Sequence, residues 1–556
     1  MSNDQMSIRG TSTQGPSTGD IVTRTRRYGV ADTLHRSAAR FPDKPALIGT
    51  DRTFTFAELD AAVDRTAGAL DRRGLRHGDR LAILSRNNWQ FVVAAYATAR
   101  TGVMLVPINF MLTADEVAFI LEHSGANGIL VGADLHDVAE KALGQINHRI
   151  DIGAIIGGSG DHEGWEEFTD WVDEPGEAPD VAVADDDPIR IMYTSGTESR
   201  PKGVLLSSRA LLAEYVSSIV DGGMSADDVD LHTLPLYHCA QLDCFVGPDV
   251  YLGATSIILP GPAPADVLAA IEKHRVTKFF APPTVWISLL RAPEFDTADL
   301  SSLRKGYYGA SPMPVEILRE ISARLPHVRL WNFYGQTELS PVATILGPEE
   351  QQSHAGSAGR PVLNVETIVV DADDNPVPPG EVGEIVHRSP QATLGYWHDE
   401  AKTAEAFANG WFHSGDLGFF DDGGRLSVVD RKKDMIKTGG ENVASREVEE
   451  TIYLHPDVAE VAVFALPHPK WVEAVTAAVV PKAGSTLDEQ AVIDHCATHL
   501  APYKRPKNVV IVTELPKNPS GKILKRDLRS TFADLTPADL TPADLTPADL
   551  TQEQNS

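Results

Sequence analysis

Apolar positions first recur with a helical period at Leu59, Ala62, Val63, Ala67 and Leu70, with Thr66 among them. Spacings of three and four residues put these side chains on one face of a helix. Ahead of them, Thr55-Phe56-Ala57-Glu58 has the form of a capping box, in which hydroxyl and carboxylate satisfy backbone N–H groups left open by the first helical turn. A short apolar run follows at 81–84, then a helical stretch through 89–99, then a second run at 103–106 ended by Pro107. Short apolar runs bounded by turn residues read as strands. Their alternation with helices predicts an α/β fold with a largely parallel sheet.

The pattern changes further on. Strand-like pieces at 380–385 and 425–429 sit among Gly, Asp and Pro turns, predicting a more β-rich section over 359–430. A compact α+β unit follows, with helices near 446–453 and 488–500 and strands near 461–465, 475–480 and 509–512. The fold class expected is therefore α/β: a large N-terminal domain of α/β subdomains plus a β-rich section, with a small mobile α+β C-terminal domain. The proposed boundaries are a disordered segment 1–27, a large domain 28–430, a small domain 431–528 after a hinge near 430–433, and a disordered tail 529–556. In that tail, three copies of Thr-Pro-Ala-Asp-Leu fill 536–550, and a proline every five residues keeps any helical turn from propagating. The tail reads as dispensable for chemistry, with a partner-binding segment as the alternative.

Composition narrows the function. The chain has 556 residues, more than one core of roughly 250 to 300 residues can serve, so at least two domains are required. A formal charge of −29 argues against a general nucleic-acid binder, which needs a surplus of Lys and Arg. An anionic substrate must then be held by local amides, cations or Mg2+ against the overall field. The three cysteines, Cys239, Cys244 and Cys496, have no paired spacing, which suits a reducing cytoplasm. With neither a signal-peptide core nor a run of about 18 apolar residues, a soluble cytoplasmic protein is expected, which leaves room for transient membrane contact and for a homodimer.

The strongest local signal is Tyr193-Thr194-Ser195-Gly196-Thr197-Glu198-Ser199-Arg200-Pro201-Lys202-Gly203, after the apolar pair Ile191-Met192. Hydroxyls, the amides of a Gly-containing turn and one Lys suit a polyphosphate, although the order is not that of a Walker loop. Four further stretches follow: Trp331-Asn332-Phe333-Tyr334-Gly335-Gln336-Thr337-Glu338, Gly410-Trp411-Phe412-His413-Ser414-Gly415-Asp416, Asp430-Arg431-Lys432-Lys433-Asp434, and Pro516-Lys517-Asn518-Pro519-Ser520-Gly521-Lys522. In this order and spacing the set resembles the adenylate-forming superfamily of acyl-CoA synthetases, luciferases and peptide-synthetase adenylation domains, over about 28–528.

The resemblance implies an ATP-dependent carboxylic acid:CoA ligase that forms an acyl-AMP, with ATP, Mg2+ and CoA as cofactors and co-substrate. A carboxylate attacking the α-phosphate is anion meeting anion, so catalysis is mainly charge neutralisation and positioning. Lys522 is then similar to the family lysine that bridges carboxylate and α-phosphate. Glu338 resembles the Mg2+ carboxylate, joined at the metal by Thr194, and Thr337 a phosphate-contacting hydroxyl. Thr194, Ser195, Gly196, Thr197 and Lys202 form the phosphate loop, in which Glu198-Ser199 stands where the family usually has Thr-Gly or Ser-Gly. Tyr334 looks like the ring that stacks on adenine, with Gly309-Ala310-Ser311 on its other side. Asp416 is similar to the ribose carboxylate, Arg431 adds a ribose or phosphate contact, and Gly395-Tyr396-Trp397 reads as packing.

For thioester formation, Lys433 matches the family hinge, and Gly439 and Gly440 would let backbone lie beside the pantetheine arm. Lys504 and Arg505 are candidates for CoA phosphates, or a solvated charge pair. Leu234-Pro235-Leu236-Tyr237-His238 resembles the start of the acyl pocket, with His238 near the substrate carboxylate. His238 stands where amino-acid-activating domains carry an Asp, which favours a fatty or other apolar acid, although Asp243 lies close by. The cluster His238, Cys239, Asp243, Cys244 lacks metal-ligand spacing. Three other readings stay open: an acyl-AMP ligase loading an acyl carrier protein, a luciferase-like oxygenase, and a non-catalytic binding protein.

Overall fold

The computed structural model describes residues 22, 25–158, 162–194, 201–311, 313–469, 471–517, 523–533 and 535. The predicted capping box opens the helix Phe56–Arg72: Thr55 Oγ1 accepts from Glu58 N at 3.2 Å, and Glu58 Oε2 accepts from Thr55 N at 2.8 Å. Every residue of the next helix, Trp89–Thr101, is buried, because it lies inside a core that draws Leu81, Ile83 and Leu105 from one sheet and Leu47 and Ile258 from another.

In the first of these sheets Pro188–Thr194, Met104–Ile108, Arg80–Leu84, Gly128–Gly132 and Ile152–Ile156 lie side by side, and Lys202–Ser207 pairs antiparallel with Pro188–Thr194. The strand from Met104 continues through Pro107 to Ile108, beyond the stop expected from the proline. Its pairing to Pro188–Thr194 is confined to Leu105, so the N–H that Pro107 lacks is not demanded by a second neighbour. In the second sheet Thr255–Ile258, Val229–His232, Lys278–Phe280, Lys305–Gly309 and Arg329–Gly335 run parallel, and Val342–Leu346 folds back on the last. The β-rich section is an antiparallel sheet of Glu366–Val370, Gly383–Arg388, Phe412–Phe420 and Leu426–Arg431.

The small C-terminal domain pairs Val458–His468 with Val472–Pro481 and adds Asn508–Ile511 in parallel. Helices Ser445–Tyr453 and Glu489–His499 bury Val448, Ile452, Val492 and Cys496 against that sheet. Its seam with the large domain is polar. Asp430 Oδ2 accepts from Ser445 N (2.6 Å) and Oγ (2.8 Å), while Arg446 donates to the carbonyls of Val428 (2.6 Å) and Gly356 (3.1 Å).

Candidate active site

The segment expected to hold phosphate is flanked by two paired antiparallel strands. Thr194 ends Pro188–Thr194, Lys202 begins Lys202–Ser207, and the two are register partners. Of the residues assigned to phosphate, Ser195, Gly196 and Thr197, with Glu198-Ser199 beside them, lie outside the described residues, as does Lys522. The Lys202 ammonium sits 5.0 Å from the centre of the Tyr396 ring.

Tyr396 is the residue that the sequence reading placed in packing. Its two-residue strand pairs with Val204 and Leu205, and its hydroxyl donates to Glu338 Oε1 at 2.9 Å. Burial, with Glu338 beside it, raises the Tyr396 phenol above its usual range, so it remains a donor. Lys202, Tyr396 and Glu338 thus form one line from the strand that follows the phosphate loop to the expected metal carboxylate. Thr337, buried next to Glu338, has its hydroxyl 3.2 Å from Cys239 Sγ.

The expected adenine and ribose groups also come together. Gly309 and Phe333 are partners on parallel strands, and a Cβ at Gly309 would lie 2.4 Å from the Phe333 carbonyl, so glycine is required for this approach. Ala310 follows with φ 63°, Ser311 comes next, and Tyr334 leaves the neighbouring strand end. The Tyr334 hydroxyl donates to Asp416 Oδ2 at 2.7 Å, and Arg431 Nε lies 3.2 Å from Asp416 Oδ1. Asp416 and Arg431 are themselves register partners, which explains how residues distant in sequence meet on one carboxylate.

Toward the small domain, the Lys433 side chain is exposed, and partial desolvation with the nearby charge of Arg431 lowers its pKa. Gly439 (φ 61°) and Gly440 (φ 90°) are the two central residues of the hairpin joining Ile436–Thr438 to Glu441–Val443. Positive φ at both positions is what a two-residue type I′ turn demands, so this geometry accounts for the glycine pair. Lys504 is engaged with Glu447 at 2.6 Å, and Arg505 donates to the carbonyls of Leu500 and Ala497.

His238 caps the short helix Cys239–Gln241, its Nδ1 accepting from Ala240 N at 3.2 Å. Asp243, the residue that kept an ammonium-bearing substrate in view, is fully buried and paired with Arg190 Nε at 2.8 Å. The pair ties the strand leading to the phosphate loop to the helical segment that follows His238. The sequence reading missed it, along with Asn87, whose buried amide brackets the backbone of Leu234 and Leu236. An asparagine in an ordinary loop carries no sequence signal of that role.

A large α/β body with a small α+β domain, and a site gathered where strands end, define a nucleotide-using enzyme of the adenylate-forming class. The chain belongs to the AMP-binding enzyme family: the family model matches residues 34–397, and the model of the AMP-binding enzyme C-terminal domain matches 447–522. It is 36% identical over 510 residues to a feruloyl-CoA synthase of Amycolatopsis sp, covering 91% of this chain and 100% of that protein. It is 35% identical over 493 residues to the long-chain-fatty-acid–CoA ligase FadD13 of Mycobacterium tuberculosis, covering 88% and 95%. The structure of the anthranilate CoA ligase AuaEII with anthranoyl-AMP superposes with a TM-score of 0.84 at 28% identity, covering 92% of this chain and 98% of that one. The protein is an AMP-forming acyl-CoA synthetase, with ATP and CoA as substrates. Among the described residues no helix is long and apolar enough to cross a membrane.

Proposed function

We propose that the protein activates an apolar carboxylic acid, fatty or aromatic, and passes the acyl group to CoA. The acid's carboxylate oxygen attacks the α-phosphorus of ATP and pyrophosphate leaves. The CoA sulfur then attacks the acyl carbonyl and AMP leaves. The observation that carries the substrate class is the pairing of Asp243 with Arg190. It leaves the segment after His238 without a carboxylate to meet a substrate ammonium, among the otherwise apolar Leu236, Leu242, Phe245 and Val246. Relatives named for feruloyl-CoA and for long-chain fatty acids support the same class.

Glu338, steadied by Tyr396, and Thr194 are oxygen donors of the kind a hard cation takes alongside phosphate. Mg2+ held there would neutralise the polyphosphate. Asp416 would receive the ribose hydroxyls, with Tyr334 and Arg431 fixing its carboxylate. Asp416→Ala is expected to raise the KM for ATP at least about tenfold, the effect of a lost charged hydrogen bond, while leaving the KM for the acid unchanged. Steady-state kinetics with each substrate varied checks this, and an unmoved KM for ATP counts against the ribose role.

A panel of ferulate, decanoate, anthranilate and phenylalanine, assayed for AMP release with no acceptor, with CoA and with an acyl carrier protein, tests the reading. Turnover of an apolar acid with CoA is expected. Preferred use of phenylalanine, or of the carrier protein over CoA, would overturn it.

A further inference from the structure

Beneath residues 234–238 lies a charged cluster that no step of the reaction uses directly. Lys278 is 3.1 Å from Asp230 Oδ2 and in contact with Asp249, and all three are buried. His232 completes the group, its Nε2 3.2 Å from Asp249 Oδ2. Asp230, His232 and Asp249 are spaced like metal ligands, but the Lys278 ammonium already supplies the cation between the two carboxylates.

Gln241 joins this cluster to the site. The Leu234 N–H is only a donor, so the Gln241 atom 3.2 Å from it is the amide oxygen. The other end is thereby fixed: Nε2 donates to His232 Nδ1 at 2.7 Å. Nδ1 must present a lone pair, and the neutral ring then carries its proton on Nε2, facing Asp249. A hydrogen-bonded series therefore runs from His232 through Gln241 to Leu234, with the Lys278–Asp249 ion pair in ion contact behind His232. From the other side Asn87 Nδ2 donates to the carbonyls of Leu234 (2.7 Å) and Leu259 (3.2 Å), and Asn87 Oδ1 accepts from Leu236 N at 2.8 Å.

Asn87, Gln241 and His232 are 5%, 1% and 0% exposed, so water cannot substitute for any of these partners. Apolar side chains of the same size would fill the space but leave the amides of Leu234 and Leu236 unpaired in dry surroundings. The side-chain amides of Asn87 and Gln241 and the backbone amides of Leu234 and Leu236 all have partners, and satisfied buried groups of this kind select one arrangement. We infer that Gln241 and Asn87 are positioning residues for acid activation, holding residues 234–238 so that Tyr237 and His238 are presented in one fixed orientation to the acid.

The inference rests on the proposed assignment of residues 234–238 to the acid site, and the test separates the two. Gln241→Met and Asn87→Asp are assayed by acid-dependent pyrophosphate exchange with ferulate and with decanoate, with unfolding curves run in parallel. Gln241→Met removes the acceptor for Leu234 N–H, and Asn87→Asp keeps the acceptor for Leu236 but loses the donor to Leu234. Each folded variant is expected to raise the acid KM at least about tenfold with the KM for ATP unmoved. An acid KM that does not move in a folded variant, or an equal rise in both KM values, overturns the inference.

Amide exchange of the unaltered enzyme reads the same arrangement without a variant. Leu234 and Leu236 should exchange as slowly as the strand Val229–His232, and exchange as fast as an exposed loop overturns the inference even if every variant fails to fold. If wild type activates neither probe acid, the functional reading fails, and amide exchange still decides whether the segment is held.

Discussion

Replacing Lys522 with Ala is expected to lower the rate of acyl-AMP formation by about 10²–10³, the loss typical of one preorganised charge-stabilising donor. The reasoning is electrostatic. Carboxylate and triphosphate repel, the protein as a whole carries a charge of −29, and the cation at the reacting atoms must therefore be local. Lys522 follows Gly521 on the Pro516–Lys522 motif, and the family's C-terminal domain model extends to that residue. Because negative charge moves from the attacking carboxylate onto the α-phosphate and the leaving oxygen in the transition state, the loss should fall on kcat rather than on the KM for ATP. Transfer from preformed acyl-AMP to CoA should survive in the variant, since no phosphorus–oxygen bond forms in that step. Pyrophosphate exchange at the wild-type rate would contradict the assignment.

The second large effect is on stability. Arg190 and Asp243 are 1% and 0% exposed, and the guanidinium Nε and Nη1 have no hydrogen-bond partner among the described residues beyond that ion contact. Asp243→Ala leaves a buried charge without compensation and is expected to cost about 3–5 kcal/mol, read as a lower urea midpoint of the large domain. The double variant Arg190→Met, Asp243→Leu removes both charges and fills the space, and it should recover most of that loss. Since Arg190 lies on the strand that ends at Thr194 and Asp243 on the segment that follows His238, the single variant should also loosen that strand end relative to that segment. A single variant as stable as wild type would show that the pair is replaceable and the coupling absent.

These residues also mark where the sequence was informative and where it was not. The helix at Phe56–Arg72 was legible because its cap is local: Thr55 and Glu58 are three residues apart. The small domain's elements were legible for a similar reason, as each carries its own apolar period. Tyr396 was read as packing because its partner Glu338 lies 58 positions away and its strand, Gly395–Tyr396, is too short to announce an orientation. Asp243 was read as an open alternative for the same reason: only the fold brings Arg190, from another strand, against it. Pro107 was taken as a strand end because the sequence gives no sign that one flank of that strand is nearly unpaired. The motifs were recognisable by their joint order and spacing, which resemble a known family, since each stretch alone is a weak signal.

The central claim is that one site performs adenylation and then thioester formation, and labelled pyrophosphate tests it most directly. Incubated with ATP, Mg2+ and an apolar acid but no CoA, the protein should return label to ATP only when the acid is present. Adding CoA should then yield AMP and acyl-CoA in equal amounts. Formation of ADP and phosphate, or label return that does not depend on the acid, would contradict the account.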